Sequence, residues 1–337
     1  MKRSTKMKSL VSGLCVVLMV VSSIQANACS FFFFKHNGKT FVGRTNELPF
    51  ETDETLIVVP RGYTFHGVEI QHGFVGINHG SDPFVSSGLN EFGLQVEGLG
   101  LGESKFAPND SGGLSMLKLP VLVLGNAKSV DEAVELIKKT KIEMDNMTQF
   151  GDIPVGFHWA ITDSEKSVVV EYTKGDGTPD IYENEFGVMT NDPLYPEQVR
   201  MAKEMVENAP DPKDIEGSFI GFDRTPEGRF QQIFATNLLN DLSRTRSDFD
   251  AVNHTWSMVN SLEVCQGTLY WRFLSDEPQM TAYSVVVDIA NRDYYLRTYD
   301  NMNVRKVDLD SIDFETTDFK RQPIYRMANS YSEVDFN

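Results

Sequence analysis

Cysteine is scarce in this chain. Only Cys15, Cys29 and Cys265 occur among its 337 residues, too few for a fold held together by several disulfide bonds. A single disulfide between Cys29 and Cys265 is one interpretation. A chain of this length, however, buries a core large enough to be stable without a covalent link. A free thiol with chemistry to perform is the other interpretation.

Positive charge is also in short supply. Lysine and arginine total 31 against 48 aspartates and glutamates, so the formal net charge is -17 at pH 7. A surface this acidic repels both nucleic-acid phosphates and anionic lipid headgroups. We therefore expect no nucleic-acid partner and no attachment to an anionic membrane.

Motifs for metals and cofactors are missing from the sequence. The six histidines form no HExxH pattern and have no cysteine pair beside them, so no zinc site is predicted. Glycines at 98, 100 and 102 lack the GxGxxG spacing of a dinucleotide-binding loop. Neither the GxSxG nucleophile elbow nor a P-loop pattern occurs. These absences predict a site with no metal and no cofactor.

The first 28 residues have the three parts of a secretory signal peptide. A basic start is followed by an apolar stretch over residues 10–21, too short to span a bilayer, and Ala26-Asn27-Ala28 forms an A-x-A site. We predict cleavage between Ala28 and Cys29 and a periplasmic or secreted protein, with no later segment inserted in the membrane. Losing four positive and no negative charges takes the formal net charge from -17 to -21. A lipoprotein signal, which would lipidate Cys29, is the alternative.

Cleavage at this site makes Cys29 the first residue of the mature chain. A thiol needs a base to become the nucleophilic thiolate, and the α-amino group of the same residue has an ordinary pKa of about 7.7–8.0. One residue then supplies both nucleophile and base for acyl transfer. A papain-like pair of Cys265 and His254 is a competing assignment, although neither residue has the flanking signature of such enzymes.

The order of sequence patterns predicts an α+β fold. Aromatic and β-branched runs around Asn37-Gly38 predict a hairpin, and further strand signals continue to about residue 100. A helix capped by Ser129 and Glu132 is predicted at about 130–140, a second hairpin follows around residues 163–166, and a strand precedes Asn191. Three helical segments then fill much of 196–264, and strands return after residue 267. Such blocks favour two antiparallel sheets stacked between two helical layers.

No linker or repeat divides the chain after the leader. We therefore predict a single catalytic domain over residues 29–337. The acidic segment 308–337 is predicted to form a C-terminal arm of that domain.

Five segments, in this order, resemble the choloylglycine hydrolase family. They are Cys29-Ser30, FVGRTNE at 41–47, GLNEFGLQVEGLG at 88–100, VMTNDPLY at 188–195 and DRTPEGRF at 223–230. The family includes conjugated bile salt hydrolases and penicillin V acylases, and it belongs to the N-terminal nucleophile hydrolases. The resemblance implies a four-layer αββα sandwich, hydrolysis of a linear non-peptide amide and, as in many members, assembly into a homotetramer.

The resemblance also implies roles for residues near the predicted mature start. Cys29 looks like the nucleophile. Arg44 stands where the family keeps an arginine beside the thiol, and a cation there favours the thiolate. Glu47 stands where members often have an aspartate that holds the terminal amine, and its side chain is one methylene longer. Without the resemblance, Arg44 reads as a surface arginine in a salt bridge and Glu47 as an exposed glutamate.

Three further positions match the family's active site. Asn191 looks like the asparagine that donates its side-chain amide to the oxyanion. Gly100 occupies a position where bile salt hydrolases commonly carry asparagine, and its backbone N–H would be the second donor to the oxyanion. Arg229 matches a further active-site arginine. Taken alone, Asn191 is an ordinary turn residue and Arg229 a charge on a helix face.

Together these residues predict an exported cysteine amidohydrolase that acts on a small-molecule amide through an acyl-enzyme thioester. The leader favours substrates like those of penicillin V acylases or N-acyl homoserine lactone acylases. Conjugated bile salts are the alternative, because bile salt hydrolases are more often leaderless. The alternative outside enzymes is a secreted lipoprotein or binding module with Cys29 blocked by lipid or by a disulfide to Cys265.

Overall fold

The computed structural model describes residues 29–48, 52–150, 155–208, 225–239, 242–270 and 277–327. The predicted signal peptide lies outside the described residues, as does the end of the predicted arm at 328–337. The strands of the described part, numbered in chain order, are β1 (Ser30–His36), β2 (Lys39–Leu48), β3 (Glu54–Val59), β4 (Thr64–Phe65), β5 (Val68–Glu69), β6 (Phe74–His79), β7 (Val85–Asn90), β8 (Gln95–Gly100), β9 (Leu114–Ser115), β10 (Ile142–Glu143), β11 (Phe157–Thr162), β12 (Ser167–Glu171), β13 (Asp180–Glu183), β14 (Val188–Thr190), β15 (Leu269–Tyr270), β16 (Pro278–Asp288), β17 (Asp293–Thr298), β18 (Asn301–Asp308) and β19 (Lys320–Pro323).

The helices are fewer and lie between blocks of strands. They are α1 (Leu119–Asn126), α2 (Val130–Lys138), α3 (Tyr195–Asn208), α4 (Pro226–Leu239) and α5 (Asp248–Leu262), with short 3-10 helices at Met116–Lys118, Thr148–Phe150, Leu242–Arg244 and Leu309–Ser311. The Ser129 hydroxyl accepts a hydrogen bond from the Glu132 N–H at 3.3 Å, which confirms the predicted start of α2.

The first large sheet carries the predicted mature start. Its strand order is β14-β1-β2-β16-β17-β18, with β15 paired to β16, and all of its pairs are antiparallel. Asn37 and Gly38 adopt positive φ values of 50° and 74°, as a tight primed turn requires, so the predicted β1–β2 hairpin is confirmed. Its register sets Ser30 opposite Thr45. Cys29 therefore lies at the start of an interior strand, beside the chain from Arg44 to Glu47.

The second large sheet has strand order β13-β12-β11-β8-β7-β6-β3-β19 and is also antiparallel. The hairpin predicted around residues 163–166 joins β11 to β12. Residues 320–323, in the predicted arm, form the edge strand β19 against β3.

The two sheets stack face to face between helices. Tyr283 of β16 and Tyr294 of β17 bond through their hydroxyls to Ser86 and Ser87 of β7, at 2.5 and 2.7 Å. Helices α1 and α2 pack on the second sheet, and α4 and α5 pack on the first. The core consists mainly of apolar side chains between these layers. The arrangement confirms the predicted α+β sandwich of two antiparallel sheets between helical layers.

Candidate active site

Cys29 meets the side chain of Asn46 where β1 begins. Its Sγ lies 3.8 Å from Asn46 Oδ1.

Two alternative roles for the cysteines are not supported. Both Cys29 and Cys265 are free thiols, so the disulfide considered from the sequence is absent. His254 packs edge-on against Phe34, with ring centroids 5.2 Å apart, and within the described residues no hydrogen bond joins it to Cys265. The papain-like pair is therefore not formed.

The environment of Cys29 favours the neutral thiol. Burial raises the pKa of the Cys29 thiol above its ordinary value, and the charge of Glu47 adds to this effect. Arg44 and Arg229 oppose it without cancelling it. A thiol held neutral needs a base before it can attack an acyl carbon.

Arg44 is buried between the two sheets, so the interpretation as a surface arginine is wrong. Its Nη1 donates to Thr45 O at 2.6 Å, its Nη2 donates to Asn46 Oδ1 at 2.7 Å and Gly98 O at 2.8 Å, and its Nε lies 2.8 Å from Glu97 Oε2. These bonds hold the guanidinium against Asn46 rather than against the sulfur. Arg44 therefore acts on Cys29 indirectly, through its hydrogen bond to Asn46 and through its positive charge.

Glu97 is the counter-ion of Arg44 and was not predicted as a site residue. Its Oε1 accepts hydrogen bonds from Ser87 Oγ and Gln95 Nε2, both at 2.7 Å. Burial raises the pKa of Glu97 to about 7, against the opposing charge of Arg44. The available signal was its place in VEGLG, where a carboxylate stands between apolar residues and glycines of a predicted strand, because such a group needs a partner when it is buried.

Glu47 and Arg229 form a second buried pair, on the side of β2 that faces α4. Arg229 Nη2 lies 3.2 Å from Glu47 Oε1, which also accepts from Thr281 Oγ1 at 2.8 Å. The remaining Arg229 nitrogens donate to Ser30 Oγ at 2.8 Å and Leu262 O at 2.9 Å. Both side chains are fully enclosed, so Glu47 is not an exposed glutamate and Arg229 is not a helix-face charge.

The second carboxylate oxygen of Glu47 is unusual. Oε2 is buried and has no hydrogen-bond partner within the described residues. Burial raises the pKa of Glu47, although Arg229 and the Thr281 hydroxyl oppose the shift. A buried oxygen without a donor is costly, and native structures contain few of them. This oxygen therefore marks a place suited to an additional donor, close to Cys29.

Asn191 follows β14 and contacts the end of β8. Its Nδ2 donates to Gly100 O at 2.7 Å. In the next residue, Asp192 Oδ1 accepts from the Gly102 N–H at 3.0 Å, which ties the two loops together. The structure thus brings Asn191 and Gly100 to one cavity, but the Gly100 group that contacts Asn191 is its carbonyl. The oxyanion role of the Gly100 N–H stays a prediction.

A cavity opens beside the Cys29 sulfur. Most of its wall is apolar, and a few polar side chains converge within it, which is the usual form of a small-molecule site. The apolar part consists of Leu48, Phe84, Met147, Phe150, Val155 and Phe157. The polar part includes Cys29, Asn46, Glu47, His79, Asn191 and Gln279.

No cluster of three or more metal-ligating side chains is present in the described part of the chain. No helix there is long and apolar enough to cross a membrane.

Comparison with known families decides the class of the protein. The family model for linear amide C–N hydrolases of the choloylglycine hydrolase family matches residues 29–322. The chain belongs to the choloylglycine hydrolase family. It is therefore a linear amide hydrolase, and the interpretation as a non-enzymatic binding module is wrong.

Individual relatives agree with this assignment. A bile salt hydrolase/transferase from Lactiplantibacillus plantarum is 26% identical over 318 residues, covering 87% of this chain and 96% of the relative. A conjugated bile acid hydrolase structure from Clostridium perfringens superposes with a TM-score of 0.76 at 21% identity, over 91% of this chain and 100% of that one. A penicillin V acylase structure from Agrobacterium tumefaciens gives 0.70 at 23% identity, over 87% and 90%. These two structures share the fold of this family member.

Proposed function

We propose that this linear amide hydrolase is exported, that its leader is removed before Cys29, and that Cys29 is its nucleophile. The observation that carries the proposal is that Glu47 Oε2, beside Cys29, is buried and has no hydrogen-bond partner among the described residues. Cleavage before Cys29 creates an ammonium group on that residue, which is a donor of the charge and kind that this oxygen lacks. The family match over residues 29–322 is consistent with a mature chain that begins there.

The chemistry follows from a thiol and an amine on one residue. The neutral α-amine of Cys29, directly or through one water, takes the thiol proton, and the sulfur attacks the substrate carbonyl carbon to form a C–S bond. Asn191 Nδ2 and the Gly100 N–H hold the resulting oxyanion. Collapse of this intermediate breaks the C–N bond, and the leaving nitrogen takes the proton from the α-ammonium. The amine then takes a proton from the water that attacks the thioester carbonyl, the C–S bond breaks to release the acid, and the sulfur takes that proton back.

The two buried arginines support this sequence of steps. Arg229 fixes Glu47 Oε1, so that Oε2 is left to orient the amine of Cys29. Arg44 fixes Asn46, and its positive charge lowers the pKa of the thiol that burial raises. Neither arginine donates to the sulfur within the described residues. Both are therefore positioning residues in this proposal.

We propose an apolar acyl amide as the substrate, of the kind that penicillin V acylases or N-acyl homoserine lactone acylases cleave. The apolar wall of the cavity supports an apolar acyl group, and the export signal supports an extracytoplasmic substrate. Conjugated bile salts are the second candidate. The observation in their favour is that curated relatives of the family carry the name bile salt hydrolase/transferase.

A hydrolysis panel tests the proposal. Mature protein is assayed on penicillin V, on N-acyl homoserine lactones of several chain lengths, and on glycine- and taurine-conjugated bile salts. We expect hydrolysis of the apolar acyl amides and a loss of at least about a thousandfold in kcat for Cys29→Ala. The exposed Cys265 supplies the control, because Cys265→Ala should retain wild-type activity. Full activity of Cys29→Ala would refute the mechanism, and exclusive activity on bile conjugates would establish the second candidate.

A further inference from the structure

The side-chain amide of Asn46 is held in one orientation. Its Oδ1 accepts a hydrogen bond from Arg44 Nη2 at 2.7 Å. A guanidinium only donates, so the group that faces Arg44 has to be the oxygen of the amide and not its nitrogen. The Cys29 thiol also approaches Oδ1, at 3.8 Å. The NH2 group of Asn46 therefore points away from Arg44.

That NH2 group has no partner among the residues that the structure describes. Asn46 is only 4% exposed, and its Nδ2 is buried without a hydrogen-bond acceptor in the described part of the chain. The same residue lines the cavity beside Cys29. Folded proteins rarely bury an amide donor without an acceptor, because each such group costs stability. Nδ2 is thus a donor without an acceptor, on a residue that lines the cavity.

The alternation of side chains along β2 shows which part of a substrate Asn46 meets. Thr45 and Glu47 contact Arg229 of α4, on the helical side of the sheet. Arg44 and Asn46 point the other way, between the sheets, where Arg44 meets Gly98 of β8. Asn46 therefore lies on the side of the second sheet and Glu47 on the side of the helices.

The apolar wall lies on the same side as Asn46. Phe157 is in β11 of the second sheet, and Phe84 immediately precedes β7 of that sheet. The leaving nitrogen, by contrast, has to meet the proton-bearing amine, which the proposed function places next to Glu47. The acyl group of the substrate consequently occupies the apolar side, within reach of Asn46.

We propose that Asn46 Nδ2 donates a hydrogen bond to an oxygen of the acyl group close to the scissile carbonyl, so that Asn46 determines acyl specificity. The favoured substrates are then amides whose acyl chain carries an acceptor oxygen near its carbonyl, as in aryloxyacetyl and 3-oxoacyl amides. An acyl chain with a methylene group in place of that oxygen leaves Nδ2 buried without an acceptor. The inference rests on the proposed function, because it assumes that Cys29 attacks the substrate in this cavity.

Matched substrate pairs test the inference. The first pair is an aryloxyacetyl amide and its arylpropionyl counterpart, in which a CH2 replaces the ether oxygen. The second pair is a 3-oxoacyl and an unsubstituted acyl amide with the same leaving amine. We expect kcat/KM of the wild-type enzyme to favour the oxygen-bearing member of at least one pair by about tenfold, and the pair that shows it identifies the chemical class.

The variant Asn46→Leu keeps the approximate shape of the side chain and removes the Nδ2 donor, together with the Oδ1 acceptor of Arg44. We expect the preference to fall to about one, mainly through loss of kcat/KM for the oxygen-bearing substrate. Both members of a pair are measured on one preparation, so any inactive fraction cancels in their ratio. Met147→Leu is the matched control, since it alters the same cavity without changing its hydrogen bonding and should preserve the ratio.

The outcomes separate this inference from the proposed function. Hydrolysis of both pairs with no preference in the wild-type enzyme, or with a preference that survives in Asn46→Leu, overturns the role of Asn46 alone. An equal loss on both members also overturns it, because Asn46 would then act on both acyl groups alike, through the scissile carbonyl or through its bond to Arg44. A wild-type enzyme that hydrolyses neither pair overturns the inference together with the proposed apolar acyl substrate. If it also fails to hydrolyse conjugated bile salts while Cys29 is free and unmodified, the proposed function is overturned as well.

Discussion

At the scale of single residues, the proposed chemistry depends on the Glu47 carboxylate, in which one oxygen accepts hydrogen bonds and the other is left to accept one from the amine of Cys29. Glu47 Oε1 is occupied by Arg229 and Thr281, whereas Oε2 has no donor in the described structure. The family often has aspartate at this position. The longer side chain of Glu47 still reaches the surroundings of Cys29, where both residues line one cavity.

We predict that Glu47→Gln lowers kcat/KM by about a hundredfold or more. The amide carries no charge to hold an α-ammonium, and its NH2 group can point a donor at the amine instead of an acceptor. Glu47→Asp keeps the charge and should stay within about tenfold of wild type. Steady-state kinetics on the preferred amide, with melting temperatures as a check on folding, measure both variants. Wild-type activity of Glu47→Gln would show that the carboxylate has no part in catalysis.

Asp192, next to Asn191, supplies a pH-dependent prediction. Burial raises the pKa of Asp192 to about 6, against the opposing charge of His158 and the Gly102 N–H. The unfolded chain has the ordinary value near 4, so between about pH 4 and 6 the folded state holds a proton that the unfolded state has lost. The contribution of Asp192 to stability is therefore most favourable at low pH and falls as pH rises through that window.

The variant Asp192→Asn cannot titrate and retains an oxygen for the Gly102 N–H. We predict that its free energy of unfolding exceeds that of the wild type by about 1–3 kcal/mol at pH 7.5, and that the difference is close to zero at pH 4. Urea unfolding at the two pH values measures it. A difference that does not change with pH would show that Asp192 does not titrate in this window.

At the scale of elements, polar contacts join the two sheets through an apolar core. The Tyr294 hydroxyl contacts Ser87 Oγ, which in turn donates to Glu97, the counter-ion of Arg44. The chain of contacts runs from β17 through β7 and β8 to β2. Strand β2, which carries Asn46 and Glu47 of the cavity wall, is thus held in place by the second sheet as well as by its neighbouring strands.

We predict that Tyr294→Phe lowers the free energy of unfolding by about 1–2 kcal/mol. The substitution removes one buried hydroxyl and leaves Ser87 with an unused acceptor, while the ring and its packing stay in place. Tyr63→Phe is the control, because Tyr63 is 38% exposed and its ring stacks on Phe319. Urea unfolding of the two variants compares them directly. Equal effects would mean that the hydroxyl between the sheets contributes nothing specific.

Some elements are predictable from sequence because their signals are local. The Asn37-Gly38 turn and the Ser129 cap depend on residues within a few positions of each other. Helix α1 was not predicted, because LPVLVLGN is buried around most of its circumference and has no polar face to show a period. A local pattern cannot reveal an element whose surroundings are apolar on all sides.

At the scale of the whole molecule, the family resemblance named most residues of the candidate site but not all of their contacts. It brought Cys29, Arg44, Glu47, Asn191, Gly100 and Arg229 to attention, and the structure gathers them around one cavity and its supporting pairs. Asn46 and Glu97 were missed. Their contacts come from strand register and from the stacking of two sheets, which a local sequence pattern does not show. The homotetramer and the periplasmic or secreted location stay predictions.

The central claim is that maturation leaves a thiol and an unblocked amine on Cys29. The direct measurement is N-terminal sequencing with intact mass of the protein purified from cells that express the full precursor. The account predicts a sequence that begins Cys-Ser-Phe and the unmodified mass of residues 29–337. A chain that begins at any other residue, or a Cys29 that carries lipid or a capped nitrogen, would contradict it.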